Sequence, residues 1–320
     1  MKILNKLIPI LLVVFLLQSC NDNDDVVVIE TQTIVDLASA SPNLSSLATA
    51  LQRADLLTTL EGDGPFTVLA PTNDAFDTFL AANNFATLND VPVSLLTEVL
   101  LNHVISGALQ STDLSTGYAN TLATSNSTGT AMSIYINTSN GVEFNGVSSV
   151  STANIIADNG VIHIVNAVIG LPTVVTLAAA DSNFSNLATA LTQENLLTAL
   201  SSDAATAPAP FTVFAPTNSA FQNFIDEDTN DAFSSIGDVL ALSTLSDILT
   251  YHVLPNGSVK STDIMDGISP TTLQGGTFTI NSNMSGVSIT DNNSRTVNVV
   301  ATDVVADNGI IHVLDNVILP

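Results

Sequence analysis

The chain of 320 residues has one cysteine, five lysines and arginines together, and no long apolar run beyond its first twenty residues. Each scarcity removes a class of function. A single cysteine has no disulfide partner and cannot build a thiolate cage for a metal. Five cationic side chains against 30 carboxylates give a net charge of −25. Such a surface repels phosphate backbones and anionic lipid, so nucleic acid is not expected as a partner. Past the first twenty residues no stretch is long and apolar enough to cross a bilayer as a helix. The signatures of common enzyme classes are also missing. No Gly-x-Ser-x-Gly elbow holds a serine on a strained turn, and neither a phosphate-cradling loop nor a dinucleotide fingerprint occurs. Carboxylates are so numerous that a glycosidase pair carries no information. The expectation is a protein that is not an enzyme and uses no cofactor.

What is present begins with Lys2 and Lys6, an apolar run from Leu7 to Leu17, and then Gln18, Ser19 and Cys20. This is the layout of a signal peptide, too short for a comfortable membrane span. Leu17-Gln18-Ser19-Cys20 resembles the lipobox of bacterial lipoproteins, which implies removal of residues 1–19 and acylation of Cys20. Two or more acyl chains, at about 0.8 kcal/mol per buried methylene, hold a protein on a membrane essentially for good. Losing the two lysines moves the net charge from −25 to −27, a composition that favours solubility, salt tolerance and loose association with cations. Residues 20–30 read as an acidic tether. Its Asn21-Asp22-Asn23-Asp24-Asp25 run resembles the surface-export signal of Bacteroidetes lipoproteins, so the expected location is the outer membrane, facing outward.

Past the tether the sequence repeats itself. Leu47-Ala48-Thr49-Ala50-Leu51 returns unchanged as Leu187-Ala188-Thr189-Ala190-Leu191, and Phe66-Thr67-Val68-Leu69-Ala70-Pro71-Thr72-Asn73 returns as Phe211-Thr212-Val213-Phe214-Ala215-Pro216-Thr217-Asn218. Ala157-Asp158-Asn159-Gly160 likewise returns as Ala306-Asp307-Asn308-Gly309. Two domains follow, 31–170 and 171–320. Only Leu171-Pro172-Thr173 joins them, and a proline in so short a link predicts a semi-rigid rod of two units.

Each copy reads as helices first and strands after. Ser41 with Pro42 behind it, and Asp181 in the second copy, fit helix starts. Leu44, Leu47, Ala48 and Leu51 follow at helical spacing. The Phe66 to Leu69 strand stops at Pro71, and Thr72 fits the cap of the next helix. Another helix is predicted from Ser94 to about Asn102. Later, Met132 to Ile136 and Phe278 to Ile280 alternate as strands, and the Asn-Gly pairs at 140, 145, 159 and 308 fit primed hairpin turns. The final strands, Val161 to Val165 and Ile310 to Leu314, are apolar throughout except for one histidine, as a strand covered on both faces would be. The fold class expected is α+β: two tandem domains, each a β-sandwich or curled sheet with packed N-terminal helices.

The Phe-Thr-Val-(Leu/Phe)-Ala-Pro-Thr-Asn-x-Ala-Phe stretch at Phe66 to Phe76 and Phe211 to Phe221 resembles the first signature box of the fasciclin domain family. Asn159-Gly160-Val161-Ile162-His163 and Asn308-Gly309-Ile310-Ile311-His312 resemble the second, and Tyr251-His252-Val253 its Tyr-His motif. The first copy departs there with Asn102-His103. The resemblance implies a β-sandwich wedge with packed helices, found on surface proteins and associated with adhesion and matrix contact. Some members carry carotenoids or other apolar ligands, so the alternative is a carrier of a hydrophobic small molecule such as a carotenoid or lipid. Expected partners are protein or polysaccharide surface ligands, the membrane through the lipid, and homophilic contacts with further molecules of the chain.

Tyr251, His252 and His103 are the binding candidates that this resemblance singles out. The apolar flanks of all four histidines, His103 and His252 as well as His163 and His312, favour a buried hydrogen-bonded ring, and the corners Pro71-Thr72-Asn73 and Pro216-Thr217-Asn218 have a structural explanation as strand stop and helix cap. Two histidines per copy fall short of the three or four convergent ligands of a metal site. Asp226, Asp228 and Asn230 match the opening of a calcium loop, but the sharp-turn glycine would fall on Asp231 and the closing glutamate on Gly237. That loop reads as solvated, with no metal site.

Overall fold

A computed structural model describes residues 32–228, 233–284 and 286–320. The signal segment, Cys20, the tether, and Asn230 and Asp231 of the calcium-like loop lie outside the described residues.

In the first copy α1 (Ile34–Ala40) starts at Thr33. The Thr33 hydroxyl accepts from the Asp36 amide at 3.2 Å, and the Asp36 carboxylate accepts from the Thr33 amide at 2.8 Å. This reciprocal box satisfies amides that every helix start leaves without an intrahelical partner. Ser41 makes no capping bond through its side chain; a single 3-10 turn, Pro42–Leu44, intervenes before α2 (Ser45–Arg53). Leu47, Ala50 and Leu51 form the buried face of α2. Then come α3 (Leu57–Leu60), β1 (Phe66–Pro71), α4 (Asn73–Ala82), α5 (Val93–Leu101) and β2 (Val104–Ser106). Thr72 caps α4 as its sequence predicts, accepting from Ala75. The strands β3 (Gly117–Thr124), β4 (Ala131–Asn137), β5 (Glu143–Phe144), β6 (Ser148–Ala157) and β7 (Gly160–Val165) complete the copy.

The second copy opens with α6 (Val174–Ala180), α7 (Ser185–Gln193), α8 (Leu197–Leu200) and β8 (Phe211–Pro216). Next are α9 (Asn218–Asp226), α10 (Ile236–Leu240), α11 (Leu245–Tyr251) and β9 (Val253–Leu254). Its last strands are β10 (Thr279–Asn283), β11 (Gly286–Thr290), β12 (Thr296–Ala306) and β13 (Gly309–Leu314). The expected fold class holds in both copies: helices lead and a strongly curled sheet follows.

The first box and the second meet in the sheet. β1 runs parallel to β7 from Phe66 opposite Gly160 to Pro71 opposite Val165, and β8 pairs with β13 in the same register. The pairing is close enough to demand glycine. A Cβ on Gly160 would sit 2.0 Å from the Phe66 carbonyl oxygen, and one on Gly309 2.5 Å from that of Phe211. The Asn-Gly pairs at 159 and 308 therefore do not form the primed turns expected of them. The turn residues are Asp158-Asn159 and Asp307-Asn308, and each asparagine side chain turns inward. Asn159 accepts from the Ile34 amide at 3.0 Å and donates to the carbonyls of Leu60 at 2.7 Å and Gly62 at 3.0 Å. Asn308 repeats this with Val174, Leu200 and Ser202. One amide thus ties the start of the first helix and the end of the third to the sheet.

The sheets differ between the copies. In the first, seven strands close into a barrel; in the second, six form an open sheet ordered β10-β11-β12-β13-β8-β9. Among the described residues no strand of the second copy takes the place of β3. Residues near 268–271 make only isolated bridges, Ile268 to Ile280 and Thr271 to Thr277, with Pro270, which has no amide to donate, between them. Each copy has its own apolar core between helices and sheet, around Leu47, Val68, Phe76 and Leu96 in the first and Leu187, Phe211, Phe221 and Leu249 in the second. A second cluster fills each curl, around Ile134 and Phe144 in one and Phe278 and Ile289 in the other.

Candidate functional site

All four histidines are buried, and each has both ring nitrogens engaged. His103 Nδ1 lies 2.7 Å from the Val99 carbonyl, and its Nε2 accepts from the Ile169 amide at 2.9 Å. His252 repeats the pattern with Ile248 at 2.8 Å and Ile318 at 3.1 Å. A carbonyl at one nitrogen and an amide N–H at the other fix a neutral ring protonated on Nδ1. Burial accordingly pulls both rings down to about 4. His163 and His312 carry the opposite tautomer. Their Nε2 atoms face the carbonyls of Leu109 at 2.9 Å and Val259 at 2.8 Å, while Nδ1 accepts from Asn154 and Asp303 amides. Burial lowers these two rings as well. His103 and His252 clamp a helix end to the tail behind the final strand, and His163 and His312 clamp the final strand to its neighbour and to the loop at Leu109 or Val259.

Tyr251 is fully buried, donates to the Thr277 carbonyl at 2.6 Å, and stands edge-on to Phe278 with centroids 5.6 Å apart. Asn102, its counterpart, is equally buried; it donates to the Gly170 carbonyl at 3.0 Å and accepts from the Thr121 hydroxyl at 3.2 Å. Tyr251, His252 and His103, the three binding candidates, are therefore committed to internal bonds and present nothing to a macromolecular partner. The motif that brings tyrosine and histidine together fastens the last helix to the sheet, the buried, bonded role that the apolar flanks of the histidines predict.

The corners are structural too. Asn73 Oδ1 accepts from the Ser46 amide at 2.9 Å and its Nδ2 donates to the Pro42 carbonyl at 2.9 Å, so it locks α2 to α4. Asn218 does the same with Asn186 and Ser182. Pro71 and Pro216 end β1 and β8, and Thr217 caps α9. Among the described residues no group of three or more histidine, cysteine or acidic side chains is placed to hold a metal ion. Glu227 accepts from Arg295 at 2.9 Å and from Asn316 at 2.7 Å, and Asp228 accepts from the Phe233 amide.

Two surfaces remain. The first is the contact between copies, which the short link alone does not reveal. Ser133 accepts from the Val305 amide at 3.0 Å, Ser125 donates to the Ala306 carbonyl at 2.7 Å, and Asn126 places two donors on Asp307. Tyr118 donates to the Asp181 carboxylate at 3.2 Å. Burial, with that carboxylate beside it, pushes the Tyr118 phenol well above its ordinary range, and Tyr135 shifts the same way for the same causes. The contact explains why β4 does not alternate: from Met132 to Ile136 every residue is buried, one face by its own core and the other by the second copy.

The other surface is a groove that recurs between the fourth-helix position and the C-terminal tail of each copy. In the first it measures about 510 Å³ and is lined by Phe79, Leu95, Val99, Val147 and Val168, with Thr176 and Asp307 of the second copy at its margin. In the second it measures about 570 Å³, between Phe224, Phe233, Leu242 and Ile248. There Arg295 lies over the Phe224 ring, 5.6 Å from its centroid.

The fasciclin domain family matches residues 42–172 and again 182–320. Human periostin is 32% identical over 265 residues, and the transforming growth factor-beta-induced protein ig-h3 of Sus scrofa is 28% identical over 270. Each alignment covers 82% of this chain but only 29% and 35% of those longer proteins. A protein of Synechocystis sp. is 36% identical over 149 residues, 47% of this chain and 98% of its own length. Among solved structures, the FAS1 domain pair of the insect cell adhesion molecule fasciclin I superposes with a TM-score of 0.53. It has 21% identity and covers 87% of this chain and 97% of that one, a likeness of fold.

Proposed function

We propose that this chain, which belongs to the fasciclin domain family, is an adhesion lipoprotein, anchored through Cys20 and displayed outward from a bacterial outer membrane. In this reading its two domains bind protein or polysaccharide partners without turning them over. The observation that carries it is the commitment of the histidines and Tyr251 to internal bonds, which leaves surfaces rather than reactive side chains as the means of action. Family membership over both copies supports it, as does the origin of the solved pair in a cell adhesion molecule. The net charge of −25 directs partner choice away from polyanions. The test is protease shaving of intact cells followed by adhesion of the cells to panels of matrix protein and glycan. Loss of the protein on shaving and loss of adhesion in Cys20→Ala cells are expected. A protein that resists shaving in intact cells but not in lysed ones would overturn outward display, and adhesion unchanged by deletion of the chain would overturn the adhesion role.

The recurring groove favours a second reading, carriage of a hydrophobic small molecule such as a carotenoid or lipid. Apolar side chains predominate in its lining, and pockets of this kind lie in the size range of small-molecule sites. Organic extraction of the protein purified from its own membranes decides it: a colourless protein with no extractable pigment or lipid removes the reading.

A further inference from the structure

The contact between the copies is made of two unlike halves. The first copy contributes a hydroxyl-bearing face, with Tyr118, Ser125, Ser133 and Tyr135. The second contributes, at its leading end, the carbonyls of Leu177 and Ala306, the carboxylates of Asp181 and Asp307 and the Val305 amide, with the Val305 side chain covered beside them. The repeat gives each copy both faces, so a contact of this kind leaves one half open at each end of the molecule.

The leading face of the first copy keeps the composition of its covered counterpart. Leu37, Ile156, Ala157 and Asp158 stand where Leu177, Val305, Ala306 and Asp307 stand, and Ser41 replaces Asp181. The chain also enters alike: the Asp158 amide donates to the Gln32 carbonyl at 3.0 Å as the Asp307 amide does to that of Pro172 at 2.7 Å. Exposure is what differs. Val305 is 5% exposed under the first copy, whereas Ile156 is 60% exposed. At the opposite end, Thr277 and Thr279 stand where Ser133 and Tyr135 are buried, and the Ser269 and Thr279 hydroxyls lie 3.2 Å apart on that face. An apolar face with carboxylate acceptor is thus open at one end and a face of hydroxyl donors at the other.

We propose that these open faces bind each other between molecules: the hydroxyl face of one molecule's second domain seats on the Ile156 face of another molecule's first domain. Such a contact does not close on itself, so it strings molecules head to tail. Ser269 and Thr279 in place of Tyr118 and Tyr135, and a shorter connection where the first copy carries Ser125 and Asn126, make it weaker than the internal contact, which also gains from the covalent link. The assignment deepens the adhesion reading but stands on the comparison of the two domains. Head-to-tail association without cell adhesion would fail that reading and leave this one intact.

The test is sedimentation velocity on the chain from Asn21 to Pro320, which contains the whole compact unit Gln32–Pro320, at concentrations up to about 1 mM and about 0.15 M salt. Concentration-dependent growth beyond dimers is expected. Ile156→Asp and Thr279→Asp, both at positions outside the cores, should each weaken association at least about tenfold, with circular dichroism confirming the fold. An equimolar mixture of the two variants keeps one good face of each kind, so dimers should return and nothing larger. A monomer at every concentration overturns the proposal, as does indifference to Ile156→Asp. A mixture that stays monomeric overturns it too, as does Thr279→Asp associating like wild type, which a symmetric pairing of Ile156 faces would give. So does association that appears only in a chain begun at Gln32, which would assign the face to the tether.

Discussion

Lowering the pH from about 7 to about 5 should destabilise this protein through two histidines while its carboxylates stay mostly ionised. His103 and His252 are held neutral in the fold, pulled by burial from 6.5 to about 4. In the unfolded chain they titrate normally, so between those two values the unfolded state binds more protons. The stability each ring contributes is complete above about 6.5, falls as the pH drops toward 4, and is flat below that. At about pH 5 the loss is on the order of 2 kcal/mol per ring, and about 4 kcal/mol if both copies unfold together. The bonds explain the size: a proton on Nε2 would face the Ile169 or Ile318 amide N–H and lose an acceptor that nothing else there supplies. The assay is urea unfolding followed by circular dichroism at steps between these pH values, for wild type and for His103→Gln with His252→Gln. The variant should be less stable at neutral pH yet lose less than half as much on acidification; His163 and His312, lowered in the same direction, account for the remainder. Titrating the ring Cε1 protons by NMR gives an independent reading. A pKa above about 6 for either ring, or an unchanged pH slope in the double variant, would refute the reasoning.

Other perturbations read other parts of the frame. Asn159→Ala or Asn308→Ala leaves a helix amide and two carbonyls without their partner and should cost about 3 kcal/mol, measured by urea unfolding; Asn73→Ala, at a half-exposed corner, should cost about 1 kcal/mol. Gly160→Ala drives a methyl into the Phe66 carbonyl, so the strand pairing must part and soluble yield should collapse, whereas Gly170→Ala meets nothing within 4 Å and should be neutral. Tyr135→Ala opens a hole between the copies and should cost about 3 kcal/mol. It should also split a single calorimetric transition into two and speed proteolysis at the link; a transition that stays single and unshifted would show that the contact does not couple the copies.

Much of the frame was legible because it is written in local rules. The caps at Thr72 and Thr217, the strand stops at Pro71 and Pro216, and the doubly covered final strands each follow from residues within a few positions of one another. What was not legible depends on residues far apart in the chain. Asn159 and Asn308 looked like turn formers because a following glycine favours that role. Their actual partners lie 125 and 134 residues away, at Ile34 and Val174. Tyr251-His252 is a binding candidate only through the family resemblance, whereas a polar group next to apolar neighbours is what a buried, fully bonded clamp requires. The contact between the copies left one faint trace: Tyr135 occupies a strand position where the second copy has Thr279.

That trace shows how a duplicated domain comes to differ from its twin. Two copies in a heterologous contact cannot be under the same demands, since one buries its β4 face and the other leaves the matching face partly exposed. The first copy met the demand with Tyr118 and Tyr135, which bring aromatic area and a hydroxyl to the Asp181 carboxylate. It also has the closed barrel, in which β3 and β4 pair and hold the two phenols side by side, 5.1 Å between ring centroids. The second copy, with Pro270 where a third strand would pair, keeps an open seam, and Tyr251 with Phe278 fills the curl behind it. Closing that seam by Pro270→Ala, the residue the first copy carries at the matching register position, Ala119, should add pairing next to β10 and flatten the hydroxyl face. If the open seam instead matters to the fold, the variant will lose stability in urea; a gain of order 1 kcal/mol would mean that the seam is kept for what binds there.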